Sequence, residues 1–284
     1  MSENITVLIP AYNASKTIRK TIDAILNQTY DSSLIKIVIC NDGSTDNTLD
    51  ILNDYQDKYP NKIRVITQEN KGLSITRKIL LEYVETKWCC FCDADDYYTA
   101  NAFSEMIKSA NCDTDIIVSK IIWYQKNTFI RSLFANLFNK KYTLQKYINK
   151  CDYGYIWNKL YRYEFIKQIN PHFFERIRML EDLFISVQLL DKNPKIALCT
   201  RHTYFYTKSK GSMSLGINND DCNNFIKLYE WVSKNINNKE LITNFYLTCK
   251  FTLKYIKKSE YIEQLNKIGV PELKKLTWWR KIIS

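Results

Sequence analysis

Three carboxylates stand within four residues of this chain, at Asp93, Asp95 and Asp96. They follow directly on the apolar run 88–92, which is typical of a buried strand. Like charges this close repel one another, so the cluster is expected to hold a cation. Hard divalent cations such as Mg2+ or Mn2+ take oxygen ligands, and Mg2+ often binds through one or two carboxylates together with substrate phosphates. An acidic turn that caps the next helix is the alternative explanation.

Two further polar loops follow predicted strands upstream. Strand 5–9 leads into residues 10–13, and strand 36–40 leads into residues 41–46, where Gly43 permits a tight turn. In an open parallel sheet, ligands bind at the edge formed by the carboxyl ends of the strands. The three loops are therefore expected to meet at that edge.

The elements that must position these loops alternate between strand and helix. The predicted strands are 5–9, 36–40, 63–66, 88–92 and 115–119, and the predicted helices are about 15–28, 46–59, 73–84 and 100–109. This order predicts an α/β fold with a mostly parallel sheet and helices on both faces.

The second half of the chain carries a different pattern. Apolar side chains recur at helical spacing from Phe129 to Phe138, which fits core packing, an acceptor-site flap or a lipid-facing patch. The further predicted elements are helices 163–168 and 182–191 and two separate strands, 195–199 and 204–206. From about residue 218 the chain is expected to form a helical C-terminal appendage.

Six motifs in this order resemble those of the family 2 glycosyltransferases with the GT-A fold. The motifs are Pro10-Ala11-Tyr12-Asn13, residues 41–46, residues 70–74 with Arg77, residues 93–96, residues 157–161 and residues 181–184. The resemblance reaches about residue 210 and implies a Rossmann-like, mostly parallel sheet flanked by helices. It implies a glycosyltransferase domain over 1–215, with a nucleotide-binding half (1–115) and an acceptor-binding half (116–215). Residues 216–284 would form a basic helical region.

The resemblance also implies roles on the donor side of the site. Tyr12 would stack on the nucleotide base, Asp42 would accept a hydrogen bond from uracil N3–H, and Arg77 would lie near the base or phosphates. Asp95 would be the direct ligand of Mn2+ or Mg2+. The residues expected to contact the donor are Pro10, Ala11, Tyr12, Asn13, Asp42, Arg77, Asp93 and Ala94.

On the acceptor side, the resemblance implies that Asp182 is the base that deprotonates the attacking hydroxyl. An acidic helix N-terminus is the alternative explanation of Glu181 and Asp182. Trp157 is expected either as a sugar platform or as a core residue. The other secondary residues are Asp96, Asn158, Lys159 and Glu181.

These features predict an inverting, metal-dependent glycosyltransferase. It would move a hexosyl or N-acetylhexosaminyl group from a nucleotide sugar to a glycan or lipid-linked glycan in bacterial surface polysaccharide synthesis. The donor expected first is a UDP-sugar. Three alternatives stay open. One is a processive polysaccharide synthase, which would normally show a Gln-x-x-Arg-Trp motif and transmembrane helices that this sequence does not show. The others are a nucleotidyltransferase that makes nucleotide sugars and a catalytically inactive nucleotide-binding module of the same fold.

Charge and composition bear on partners and location. The net charge is +11, and the excess is heavy near the C-terminus, where Trp278 and Trp279 stand beside basic residues. This pattern suits an anionic membrane surface, and no nucleic-acid-binding motif is present. Nine cysteines without paired metal-ligand spacing indicate reduced thiols. The sequence shows no long apolar run and no signal peptide, so we expect the protein to be cytoplasmic. Where it associates with the cell membrane, we expect it to bind peripherally, on the inner face.

Overall fold

The computed structural model describes residues 3–125, 128–131, 154–207 and 217–270. The chain divides into two compact units. The first contains residues 1–141, 156–176 and 194–210, and the second contains residues 142–155, 177–193 and 211–284. The domain boundaries expected from the sequence stay a prediction.

The first unit is built on a sheet to which the described residues contribute nine strands. These are β1 (Ile5–Ala11), β2 (Ile35–Asp42), β3 (Ile63–Gln68), β4 (Trp88–Phe91), β5 (Tyr97–Tyr98), β6 (Ile116–Gln125), β7 (Thr128–Arg131), β8 (Lys159–Arg162) and β9 (Ile196–Thr207). The strand order is β3-β2-β1-β4-β8-β6-β9-β5, and β7 pairs with β6. Strands β1 to β4 run parallel, whereas β8 is antiparallel to both of its neighbours.

Five helices of this unit fall in the described residues. They are α1 (Ile18–Leu26), α2 (Thr48–Lys58), α3 (Leu73–Leu81), α4 (Ala102–Ile107) and α5 (Tyr163–Ile169). Helix α1 buries Ile18, Ile22 and Ile25, at the spacing of one helical face. Every residue of β1 is buried, as expected for a central parallel strand covered on both sides. The predicted α/β fold with a mostly parallel first half is confirmed.

The second unit is helical in its described residues. Its helices are α6 (Glu181–Leu190), α7 (Asn219–Asn235), α8 (Lys239–Tyr255) and α9 (Ser259–Ile268). Helix α6 is buried along its length except at Asp182, and Phe184 packs edge-on against Trp231 and Phe245. Helix α7 begins with a capping box formed by Asn218 and Asp221. The helical region predicted from about residue 218 is confirmed.

Two expectations from the sequence are wrong. The segments 195–199 and 204–206 belong to the single strand β9, because pairing with β6 and β5 holds the intervening residues extended. Phe129 lies in strand β7, not in a helix, because residues 128–131 pair with β6. The rest of the predicted apolar stripe, to Phe138, lies outside the described residues. Among the helices that the structure describes, none is long and apolar enough to span a membrane.

Candidate active site

The loops that follow β1 and β2 are hydrogen-bonded to each other at the carboxyl edge of the sheet. The Asn13 side-chain oxygen accepts from the Thr45 N–H at 2.8 Å, and the Asn13 N–H donates to Ser44 Oγ at 3.0 Å. The Ser15 N–H donates to Asp46 Oδ2 at 3.2 Å. Because parallel strands end on the same side, these loops meet as the sequence predicts.

Asp42 joins the loop after β2 to the loop after β3. Its buried carboxylate accepts hydrogen bonds from Gln68 Nε2 at 2.7 Å and from the N–H groups of Lys71 and Gly72 at 2.8 and 2.9 Å. Next to it, Gly43 has a φ of +70°, and a Cβ there would lie 2.8 Å from the Asn70 nitrogen, so only glycine fits. Contact of Asp42 with uracil stays a prediction.

Tyr12 is exposed at the end of β1. Pro10 and Ala11 before it are buried, whereas 52% of the Tyr12 surface is accessible. An exposed aromatic ring on a loop that is fixed on both sides offers a flat apolar face at little entropic cost. This position suits the predicted stacking on a nucleotide base.

Arg77 lies against the acidic loop that follows β4. Its side chain is 1% exposed, and one guanidinium nitrogen donates to Asp93 Oδ1 at 3.0 Å. Thr21 holds the backbone of the same loop, because its hydroxyl donates to the carbonyls of Asp96 at 2.7 Å and of Ala94 at 3.1 Å. The structure thus brings α1, α3 and the acidic loop together, and contact of Arg77 with a nucleotide stays a prediction.

Asp96 is turned into the protein interior. It is 1% exposed, accepts a hydrogen bond from the Tyr204 hydroxyl at 2.9 Å and another from the Thr207 N–H at 2.7 Å. Burial, followed by the nearby carboxylates of Asp93 and Asp95, raises the pKa of Asp96 well above its usual range. Its position fits the secondary role that the sequence predicts, with both oxygens engaged by β9.

Asp95 differs from its two acidic neighbours. Within the described ranges, no other side chain donates a hydrogen bond to its carboxylate. Burial and then the Asp93 charge raise the pKa of Asp95 to about 6, because both disfavour the ionised form. The absence of another side-chain donor leaves its oxygens open to a divalent cation, so the residue fits the predicted metal ligand.

The protein by itself does not complete a metal shell in its described part. Across residues 3–125, 128–131, 154–207 and 217–270, no three His, Cys, Asp or Glu side chains cluster closely enough to hold a metal ion. The binding of a metal by Asp95 stays a prediction.

Three residues predicted on the acceptor side are buried in the first unit. Trp157 is 2% exposed and stacks on Tyr204 and Tyr206, with ring centroids 4.6 and 5.4 Å apart. The Asn158 amide donates to the Ser119 carbonyl at 2.8 Å and accepts from Lys159 Nζ at 2.9 Å. For Trp157, this burial favours the core position over the sugar platform.

Glu181 and Asp182 form the first turn of α6, in the second unit. Leu180 before them has a φ of +64°, a conformation that bulky residues rarely adopt. Glu181 is 8% exposed and Asp182 is half-buried. An acidic first turn is a common feature of helices, because the helix N-terminus attracts negative charge. The role of Asp182 as a base stays a prediction.

Sequence reasoning missed the side chains that hold the acidic loop in place. Thr21, Tyr204 and Thr207 contact that loop across separations of 73 to 111 residues. No local pattern marks such contacts. The only signal was the aromatic segment 204–206, which the sequence presents as an ordinary strand.

Solved structures share this architecture. The chain superposes on TarS 1–349 of S. aureus in complex with UDP-GlcNAc with a TM-score of 0.75 and 21% identity, over 94% of this chain and 82% of that one. A mannosyltransferase from Pyrobaculum calidifontis, in complex with GDP-Man and Mn2+, gives a TM-score of 0.59 and 11% identity, over 93% and 73% of the two chains. The sheet and its flanking helices have the GT-A fold.

The family profile for glycosyl transferase family 2 matches residues 6–169. The chain belongs to glycosyl transferase family 2. The Escherichia coli enzyme WfaP, a UDP-Glc:alpha-D-GlcNAc-diphosphoundecaprenol beta-1,3-glucosyltransferase, is 31% identical over 137 residues, which are 47% of this chain and 52% of WfaP. The chain spans from about a third to about three-fifths of the length of the curated relatives that it matches first.

The Asp46 carboxylate gives a prediction about the joined loops. Partial burial raises its pKa, but hydrogen bonds from Ser15 and Thr48 outweigh burial and lower the pKa to about 2. We expect Asp46→Asn to destabilise the fold by about 1 kcal/mol, as loss of a helix N-terminal cap does. The urea-unfolding midpoint measures this change, and Asp50→Asn, an exposed position in the first turn of α2, is the matched control.

The sign of the pH dependence follows from the lowered pKa. A carboxylate with a folded-state pKa below its ordinary value of 3.8 contributes stability above pH 3.8, and this contribution is lost as the pH falls through about 2. The difference between wild type and Asp46→Asn is therefore expected to shrink between pH 4 and pH 2. Equal unfolding midpoints for the Asp46 and Asp50 variants at pH 7 would contradict this role of Asp46.

Proposed function

We propose that this chain transfers a sugar, with inversion at the anomeric carbon, from a nucleoside diphosphate sugar to a hydroxyl group of a bacterial surface glycan. The observation that carries the proposal is the turn that presents the Asp95 carboxylate at the carboxyl edge of a family 2 glycosyltransferase sheet, where no other described side chain donates a hydrogen bond to it. A diphosphate with its cation is the ligand whose charges match this arrangement.

The donor is proposed to be a UDP-sugar. Its uracil would stack on Tyr12 and donate N3–H to Asp42, whose carboxylate is already fixed by the loop 68–72. Complexes and names of related proteins support uridine: TarS was solved with UDP-GlcNAc, and WfaP is named for UDP-Glc. Glucose and N-acetylglucosamine are accordingly the first sugars to test.

Asp95 would hold Mn2+ or Mg2+ together with the donor diphosphate. When bound, the ion would neutralise the negative charge that develops on the leaving diphosphate. The mannosyltransferase complex with Mn2+ supports this proposal. Arg77 would keep Asp93 in place beside the ion, because their contact of 3.0 Å is buried on the arginine side.

The chemistry proposed for the protein side chains is a single displacement. Asp182 would accept the proton of the acceptor hydroxyl, and the oxygen would attack the anomeric carbon from the face opposite the diphosphate. A glycosidic C–O bond forms as the bond from carbon to diphosphate oxygen breaks, so UDP leaves with its electron pair. The acceptor is proposed to be a glycan, or a lipid-linked glycan such as the one in the name of WfaP.

A thermal-shift titration with UDP, GDP, CDP and dTDP, each with and without Mn2+, tests the donor and metal proposals. A ligand at 100 times its Kd stabilises the folded state by about 2.7 kcal/mol. We expect UDP with Mn2+ to raise the Tm, and Asp95→Asn to abolish the part of the shift that depends on Mn2+.

The control for Asp95→Asn is Asp57→Asn, which makes the same charge change at an exposed position of α2. It should shift with UDP and Mn2+ as wild type does. An Asp95→Asn variant that keeps the full Mn2+-dependent shift would remove Asp95 from the metal site. Wild-type protein that shifts with no nucleotide would leave the inactive binding module, or another function, as the better description.

The base is tested separately by Asp182→Asn. Loss of a general base lowers turnover by about 10²–10⁴-fold, whereas the affinity for UDP should stay within about twofold because Asp182 does not contact the nucleotide in this proposal. UDP release from UDP-glucose or UDP-GlcNAc and calorimetric UDP binding measure the two effects. The matched control is Asp220→Asn, which makes the same change at an exposed position in the first turn of α7 and should keep wild-type turnover. Unchanged turnover in Asp182→Asn would exclude the base assignment.

The exposed part of α8 supports contact with an anionic lipid surface. Phe251 is 50% exposed and Tyr255 is 80% exposed, one turn apart on α8. Lys250 and Lys254 are also one turn apart on α8, and each directly precedes one of the two aromatic residues. The exposed aromatic rings therefore lie beside cationic groups. We call these four residues the basic-aromatic face. Such faces bind headgroups through buried rings and through attraction to acidic lipids. The predicted contact by Trp278 and Trp279 lies outside the described residues.

Co-sedimentation with vesicles tests this contact. Full-length protein should sediment with phosphatidylcholine vesicles that contain phosphatidylglycerol, and less with phosphatidylcholine alone. We expect the double variant Phe251→Ser, Tyr255→Ser to lose most of the binding, while Tyr12→Ser, which removes a ring of similar exposure from the other unit, keeps it. Equal binding by the double variant and wild type would exclude the basic-aromatic face, and deletion of 276–284 would then test the tail.

A further inference from the structure

The hydroxyl group of Tyr204 makes two hydrogen bonds to the acidic loop. It accepts one from the Asp93 N–H at 3.1 Å and donates one to Asp96 Oδ2 at 2.9 Å. These two partners flank Asp95, the predicted metal ligand. One rigid group thus fixes the loop on both sides of the carboxylate that has to face the ion.

The Tyr204 ring cannot move to follow the loop. Its side chain is fully buried, the Trp157 ring stacks on it at 4.6 Å, and the Tyr98 ring meets it edge-on at 4.9 Å. Backbone pairing of Tyr204 with Tyr98 in β5 and with Ile121 in β6 fixes its Cα as well. The hydroxyl position is therefore determined by the sheet, and the acidic loop adapts to it.

Other contacts close the loop in the same arrangement. The Asp96 N–H donates to the Asp93 carbonyl at 3.1 Å, which forms a turn around Ala94 and Asp95. The Thr207 N–H holds the second Asp96 oxygen at 2.7 Å. The Asp95 carboxylate projects from a turn whose two ends are both attached to β9.

We propose that Tyr204 is a positioning residue for the metal site: its hydroxyl sets the distance between Asp93 and Asp96 and so directs the Asp95 carboxylate toward the cation. Trp157 supports this role by holding the ring in place, which gives a reason for its burial. The inference rests on the proposed function in naming a cation with a nucleoside diphosphate as the ligand.

Tyr204→Phe removes only the hydroxyl and keeps the stacked ring. Loss of a hydrogen bond of about 1.4 kcal/mol corresponds to about tenfold in an equilibrium constant. We expect calorimetric titration with UDP and Mn2+ to show about tenfold weaker binding, whereas binding of UDP without Mn2+ changes little. Amide hydrogen exchange of peptides that span residues 92–97 should be faster in the apo variant.

Tyr229→Phe is the matched control. Tyr229 is also fully buried and donates to one carbonyl, that of Gly269 at 2.6 Å, in the other unit. Its variant should lose similar thermal stability and keep both the Mn2+-dependent binding and the slow exchange of residues 92–97. A general loss of stability would affect both variants equally.

The outcomes separate this inference from the proposed function. Exchange and Mn2+-dependent binding in Tyr204→Phe that equal those of wild type would overturn the positioning role. Wild-type protein that binds no UDP with Mn2+ would overturn the proposed function and, with it, the metal part of the inference. Faster exchange of residues 92–97 in the apo variant would still support the attachment of the loop by Tyr204.

Discussion

The acidic loop of the first unit carries three carboxylates within four residues, and the residues around it have to offset the repulsion between them. Repulsion between such groups would open the acidic loop unless each charge were balanced. Arg77 balances Asp93 through a nearly buried contact, and Asp96 is turned inward onto Tyr204. Burial and the Asp93 charge raise the pKa of both Asp95 and Asp96, that of Asp95 to about 6. The two differ in their hydrogen bonds: the Tyr204 hydroxyl donates to Asp96, whereas among the described residues no other side chain donates to Asp95, the residue that is expected to bind a cation.

The same residues serve the fold and the candidate site. Asp42 is predicted to accept a hydrogen bond from the nucleotide base. Its three hydrogen bonds within the protein also join the loops after β2 and β3. Asn13 likewise connects the loop after β1 to the loop after β2. A nucleotide site built in this way is largely preformed, because the loops are held by one another before a ligand arrives. Preformed sites lose less conformational entropy on binding.

Three of the residues predicted on the acceptor side are buried rather than exposed to a ligand. Trp157, Asn158 and Lys159 are each at most 3% exposed, so any influence they have on the site would pass through the residues that they contact. Trp157 packs against Tyr204, and Tyr204 contacts the acidic loop. For Asp182 the position is different, because α6 leaves this side chain partly exposed on an otherwise buried helix.

Local sequence patterns were enough to predict the alternation of strands and helices in the first hundred residues, the loops at the strand ends and the acidic cluster. These features depend on local periodicity, on glycine at positive φ and on the chemistry of neighbouring side chains. The folded chain was needed to show that β9 is a single strand, that β5 and β6 flank it, and that Tyr204 contacts Asp93 and Asp96. Such pairings join residues 80 to 111 positions apart. Their energy comes from contacts that no local pattern records, so folding has to bring them together before they can be seen.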